Sequence, residues 1–427
     1  MSSIKKYSFS DLYDMSSGIS TGKGQAGHGS PFVSFGTVFN NIFLPEELSD
    51  LMDTSIQEQK TYSIKKDDIL ITRTSETIDE LAMSCVALKD YPTATYSGFT
   101  KRLRPKSKGV AYSKYLAFYL RGYLFRKAVT NNAFMTLRAS FNEDIFSFLH
   151  LNLPEYDSQV RIGNLLYAME QKITLNKRIN AELEAMAKTL YDYWFVQFDF
   201  PDENDKPYRT SGGAMEWNEQ LKREIPKGWD CSELGKFCSF RNGINYEKDV
   251  SRDKKYRIVN VRNISASSLL LNKDELDEIY LPSSLAERYL LSNKDIIIAR
   301  SGTPGATRLL KSNSNMVIFC GFIICGTPHN ENTQSYLSFV LKGYEGTSAT
   351  KTGGSILQNV SQDTLKSIVI CMPPDSILLT FNAQIEPIIQ TIQKKIEENN
   401  VLTRLREWLL PMLMNGQATV DERRFTD

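Results

Sequence analysis

At 427 residues the chain is too long for one ordinary core, so two or three domains are expected, and 41% hydrophobic with 24% charged content describes a soluble globular protein. No apolar run approaches the ~18 residues of a membrane span, the first residues lack a signal-peptide apolar region, and a net charge of +1 means charge must be read locally. Six scattered cysteines without a C-x-x-C and three dispersed histidines argue against zinc, so a reduced, cytoplasmic, metal-free protein is expected.

In chain order, residues 1–157 alternate short runs rich in Val, Ile, Phe and Tyr with Gly, Ser and Asn clusters, a pattern of strands and turns. Three loops there carry donors and acceptors suited to base edges. They are "GISTGKGQAGHGS" (Gly18–Ser30) with Lys23 and Gln25, the end of "DILITRTS" with Arg73, Thr74 and Ser75, and "TNNAFMTLRAS" with Arg138. From Lys101 to Asn142 there are ten Lys/Arg and no acid, led by Lys101, Arg102 and Arg104. A basic stretch without carboxylates, interleaved with Tyr and Phe, suits contact with phosphate.

Residues 158–195 contain no proline and only Gly163, and 38 such residues would span about 57 Å as a helix at ~1.5 Å per residue. Apolar positions at Ile162, Leu166, Met169, Ile173 and Ile179, then Leu183, Met186 and Leu190, predict a seam for a partner helix, with Asn176 on it. Asp199–Trp229, rich in Pro, Gly, Asp and Asn, reads as an irregular connector. Strand-like runs then resume. Their loops are "NGINYEKD" with Asn245 and Tyr246, "RSGTPGATR" with Arg300, Ser301, Thr303 and Arg308, and "ATKTGGSILQN" with Lys351 and Asn359. Ile296–Asn330 again lacks acids. A second long helix follows, with Ile385, Ile389, Ile392, Ile396 and Leu402 on its seam and Asn399 among them.

The halves repeat one another. "FVSFGTV" (Phe32–Val38) matches "IVNVRNI" (Ile258–Ile264) at an offset of 226, and Tyr62, Asp68 and Arg73 match Tyr289, Asp295 and Arg300 at 227. "SGF" ending at Phe99 matches "CGF" ending at Phe322 at 223, "YLAFYLRGY" matches "YLSFVLKGY" at 221, and "LNLP" matches "ICMP" at 219. Five matches in one order with slowly drifting offsets make the chain a tandem duplication. Asn176 and Asn399 fall at the same seam position. Two long helices, each closing its own half, are expected to pair antiparallel about a pseudo-two-fold axis, which brings these two amides together.

The segments "LEAMAKTLYDYWFVQFDFP" (Leu183–Pro201), "KPYRTSGGAMEWNEQLKREIPKGW" (Lys206–Trp229) and "LREWLLPMLMNGQ" (Leu405–Gln417) resemble the central and C-terminal conserved regions of the DNA-specificity subunits of type I restriction–modification enzymes. The resemblance implies a mixed α/β (α+β) fold with two tandem target-recognition domains separated by two long antiparallel helices that form a coiled-coil spacer. The layout is then a first target-recognition domain at 1–157, a first spacer helix at 158–197, a connector at 198–228, a second target-recognition domain at 229–377, a second spacer helix at 378–415 and a tail at 416–427. The resemblance also implies that each domain reads half of a bipartite, asymmetric site in double-stranded DNA. Two methyltransferase subunits would dock on the chain, joined by two restriction subunits where a restriction enzyme accompanies it. S-adenosylmethionine, and ATP and Mg for restriction, belong to those partners and no cofactor to this chain.

The chain carries no catalytic set of its own. "MPPD" (Met372–Asp375) lacks both the leading amide or acid and the trailing ring of an adenine-methyltransferase tetrapeptide, no Asp/Glu-x-Lys follows either Pro-Asp within 30 residues, and there is no Walker loop. Alternatives stay open for the single residues. Each Gly/Ser/Asn loop alone is a surface turn, and Arg73 and Arg300 can grip a base, a phosphate or a carboxylate. For the whole chain, the rivals are a structural adaptor that docks proteins without reading DNA and a self-contained restriction–modification polypeptide.

Overall fold

The duplication is visible strand by strand in the computed structural model, which describes all residues except 1–3, 21, 76, 78–79, 133–138, 247–253, 266–267, 312–315, 346–359 and 421–427. Two units divide the chain: Met1–Ile173 with Val401–Asp427, and Thr174–Asn400.

In the first unit, β1 (Lys5–Ser8), β2 (Tyr13–Ser17), β3 (Ile69–Thr72), β4 (Ser84–Val86), β5 (Thr100–Pro105) and β6 (His150–Leu153) precede a helix, α1 (Tyr156–Tyr191). The main sheet has the order β2-β5-β3-β4, all antiparallel, and β1 pairs antiparallel with β6. The second unit contains β7 (Asp230–Glu233), β8 (Cys238–Asn242), β9 (Ile296–Ala299), β10 (Thr307–Leu309), β11 (Ile323–Pro328) and β12 (Val369–Met372), followed by α2 (Asp375–Met414). Its sheet, β8-β11-β9-β10, is again antiparallel, and β7 pairs with β12 as β1 does with β6. Each unit adds a three-stranded sheet with one antiparallel and one parallel neighbour: Ala26–Val33 with Leu51–Met52 and Thr95–Tyr96, and Lys254–Val259 with Asp277–Leu281 and Val317–Phe319.

The central strands explain the repeated "DILI" and "DIII". All four residues of β3 and of β9 are buried, so both faces of the strand are covered and an unbroken apolar run replaces the usual alternation. The preceding Asp closes the entering turn: Asp68 Oδ2 accepts from Lys65 N–H at 2.7 Å and Asp295 Oδ2 from Ser292 N–H at 2.8 Å. Such buried carboxylates need a counter-charge. Arg104 supplies it bidentately to Asp68 from β5, whereas Arg241 supplies it to Asp295 from β8. The acid is repeated; its partner comes from a different strand.

In the second unit the helices run antiparallel. Asn176 Nδ2 donates to Asn399 Oδ1 at 2.8 Å and to Glu398 at 2.9 Å, while Asn180, further along α1, reaches back to the Ile392 carbonyl. Ile385, Ile389 and Ile392 are buried there, with Ile396 packed against them. In the first unit Ile162, Leu166 and Ile173 are buried, and Glu170 pairs with Arg406. Met169, Ile179 and Leu402 are half-buried. The expected seam is corrected at its far end: Met186 is 59% exposed and Ala187 is fully buried. The buried line passes from Asn176 through Asn180, Leu183 and Ala187, alternating steps of four and three, and a small alanine allows close approach.

Two further expectations fail. Asp199–Trp229 is no irregular connector: Met215–Asn218 and Arg223–Pro226 form a hairpin, and Ile225 and Trp229 are buried. The Asn218 side chain accepts from the Gln220 and Leu221 N–H groups and so shapes the turn, while Phe198, Phe200, Tyr208 and Trp229 pack ring on ring. The cysteines are not all reduced, because Cys231 and Cys371 stand opposite one another in the β7–β12 pair as a disulfide, with a Cα–Cα distance of 4.0 Å. Strand register brings them together, and no spacing rule in the sequence reveals it. The remaining four are free and buried. No described helix is long and apolar enough to cross a membrane.

Candidate nucleic-acid interface

The strand β3 ends at Thr72, and Arg73 follows with its backbone held on both sides: its N–H donates to the Phe99 carbonyl at 2.8 Å and its carbonyl accepts from Phe141 N–H at 2.7 Å. Arg300, after β9, is held identically by the Phe322 carbonyl at 2.9 Å and Val360 N–H at 2.9 Å. Arg73 is exposed and Arg300 half-buried, and neither guanidinium has a partner among the described residues. A fixed backbone with an uncommitted fork of donors suits recognition of an anionic or base-edge acceptor.

A second loop converges there in each unit. Gly18-Ile19 and Gly243-Ile244 lie against the turns Ser97–Thr100 and Cys320–Ile323. Gly98 N–H donates to Ile19 O at 2.7 Å, and Gly321 N–H donates to Ile244 O at the same distance. A Cβ on Gly18 would sit 2.2 Å from the Ser97 carbonyl oxygen, and one on Gly243 2.2 Å from that of Cys320. Only glycine permits this approach. Asn245 is exposed with its side-chain amide lying against Gly321, whereas Tyr246 donates its hydroxyl to Asn260 at 3.3 Å. Thr74, Ser301 and Thr303 are half-buried on the arginine loops.

Several expected contacts are structural instead. Arg308 is 1% exposed, bonded to the Thr307 carbonyl and paired with Glu345, so it cannot reach a ligand. Arg104 is committed to Asp68, whose hydrogen bonds raise its pKa further, and to the Ser63 carbonyl. Arg102 bonds the same carbonyl and lies over the Tyr96 ring; Lys101 is buried against Ser17. Ser75 is buried beside Glu80, and both ends of the Gln25 amide close its own loop through Gly22 and Asp53. Arg121 donates to four backbone carbonyls, and burial lowers its pKa. Cations of the acid-free stretch are therefore committed to backbone carbonyls, as Arg102 and Arg121 are, or to carboxylates brought in from outside the stretch, as Arg104, Lys101 and Lys106 are, which a charge count cannot distinguish. Lys23 lies in a short 3-10 turn. Arg138, Lys351 and Asn359 fall outside the described residues. Among the described residues, no group of three or more His, Cys, Asp or Glu is placed to hold a metal ion.

Two topologically equal modules, each presenting an arginine loop beside a glycine-pinned turn, define a duplicated recognition protein. The chain belongs to the family of the type I restriction modification DNA specificity domain, which matches residues 10–185 and 226–405. It is 23% identical over 397 residues to the type I restriction enzyme MjaIX specificity subunit of Methanocaldococcus jannaschii, covering 90% of this chain and 85% of that one. It is also 23% identical over 449 residues to the HindI specificity subunit of Haemophilus influenzae, covering 90% and 94%. In fold it is similar to the crystal structure of the type I restriction–modification S subunit from M. genitalium, with a TM-score of 0.56 at 13% identity over 96% of both chains.

Proposed function

We propose that this chain is the DNA-reading specificity subunit of a type I restriction–modification enzyme, each module reading one half of a bipartite, asymmetric duplex site. The observation that carries this reading is the pair of arginines, Arg73 and Arg300, held by the same backbone bonds in both units while the loops around them differ in sequence. Equal scaffolds with unequal loops suit an asymmetric site. The long helices dock two methyltransferase subunits, and two restriction subunits where these are present, and chemistry resides in those partners. S-adenosylmethionine serves the first, and ATP with Mg the second, in the cytoplasm. The units of exchange are residues 1–157 and 229–377, with 158–197 and 378–415 as spacer.

Methylation-sensitive sequencing of DNA from cells carrying the chain with its modification partner tests this. The expected result is modification at one bipartite motif, half of which changes when residues 1–157 are exchanged for another such domain. Modification without sequence preference, or change of both halves together, overturns the reading. A salt titration of the assembled complex on duplex DNA separates it from an adaptor, which has no steep salt dependence.

A further inference from the structure

Phe99 and Phe322 occupy equivalent positions in the two halves, and each is 61% exposed. Phenylalanine has no polar group to solvate, so water is a poor environment for its ring. A single exposed ring is ordinary. Phe148 is more exposed still, but its counterpart at the local offset is Ser367, and the counterpart of exposed Tyr123 is the half-buried Tyr344. At Phe99 and Phe322 both the residue and its exposure recur.

The backbone beneath each ring is fixed. The Thr100 N–H closes the first turn on the Ser97 carbonyl at 2.9 Å, and the Ile323 N–H closes the second on that of Cys320 at 2.9 Å. In both turns the Phe carbonyl accepts from the arginine N–H, and the preceding glycine N–H is held by Ile19 or Ile244. Each aromatic group thus projects from a rigid turn directly bonded to the arginine loop. Little conformational entropy remains to be lost there on binding.

We propose that Phe99 and Phe322 are base-contacting residues, each ring packing on apolar base edges or wedging between base steps in its own half-site beside Arg73 or Arg300. This rests on the DNA-reading function proposed above. In a duplex an aromatic ring packs on apolar base edges such as a thymine methyl or wedges between deformable base steps, both of which depend on sequence, whereas a phosphate offers it nothing.

The test uses the full chain assembled with its modification subunits and a duplex carrying the motif the wild-type complex methylates. Companion duplexes have one half-site scrambled at a time. Phe99→Ala should weaken specific binding by about 5- to 150-fold, the range for losing the readout of one base pair. The loss should vanish on the duplex whose first half-site is scrambled, and Phe99→Leu should keep part of the affinity. Phe322→Ala should do the same at the other half-site, with Tm unchanged in both variants. Wild-type affinity in both alanine variants, or equal loss on specific and scrambled duplexes, overturns the proposal. Failure of the wild-type complex to tell the duplexes apart would instead overturn the DNA-reading function itself.

Discussion

Residues of one type do opposite work in this chain, and burial separates them. Arg308→Ala removes a buried guanidinium that pairs with Glu345 and bonds the Thr307 carbonyl, leaving Glu345 only Lys342 at 3.6 Å among the described residues, and should cost about 2–4 kcal/mol in chemical denaturation. Arg73→Ala and Arg300→Ala remove guanidiniums without a partner among the described residues and should leave stability within about 0.5 kcal/mol while weakening DNA binding and its salt slope. Equal destabilisation by all three would refute the assignment. Glu184 allows a pH prediction. Burial raises its pKa above the ordinary value, outweighing the Leu269 backbone hydrogen bond and the nearby Lys342 and Arg308 charges. The folded state then holds this proton more tightly than the unfolded state, so the group's contribution is full below the unfolded pKa and is lost as pH rises to the folded one. Glu184→Gln should therefore gain stability relative to wild type as pH rises through that window, read as the difference between two Tm–pH curves. Parallel curves would exclude the effect.

The sequence made the elements legible to different degrees. The central strands were readable because "DILI" and "DIII" are unbroken apolar runs, and the helices because their apolar spacing persists over many turns. The connector hairpin was not, because its Pro, Gly and Asn content resembles loop and only the burial of Ile225 and Trp229 orders it. The helix seam was readable through Leu183 and Leu190, which pack against the core, and drifted by one residue only at Met186, where Ala187 is the buried one and carries little hydrophobic signal beside a methionine. Arg73 and Arg300 were legible by repetition, whereas Arg104 and Arg308 were misread because sequence does not show whether an arginine faces a carbonyl, a carboxylate or water. The amide pair supports a further prediction. Asn176→Leu removes the amide that donates to both Asn399 and Glu398 across the seam, and should cost about 1–3 kcal/mol. The double replacement Asn176→Leu with Asn399→Leu should recover part of that loss, because an apolar pair substitutes for a polar one whose Asn176 Oδ1 has no partner among the described residues. A double-mutant cycle in urea measures the coupling, and simple additivity would show that the amides act independently.

At the scale of the whole molecule the duplication means that one chain carries two readers, and α1 and α2 each contribute residues to both units. If the helices measure the unread gap between half-sites, their length is a variable of specificity. One heptad adds about 10 Å at ~1.5 Å per residue. B-DNA advances ~34 Å in about 10 base pairs, so the same distance is roughly three base pairs. A heptad inserted in both helices, within 173–186 and 396–409, keeps the apolar seam facing its partner, whereas three or four residues inserted in one helix alone would break it. The matched insertion should lengthen the methylated motif's gap by roughly three base pairs and preserve both half-sites. Three base pairs also turn the duplex by about 100°, so the readers must rotate as well as separate, and modification should slow more than binding weakens. Methylome sequencing of cells carrying the variant, beside a binding titration on duplexes of graded gap length, tests both parts. An unchanged gap with modification still occurring would mean that something other than the helices sets the distance.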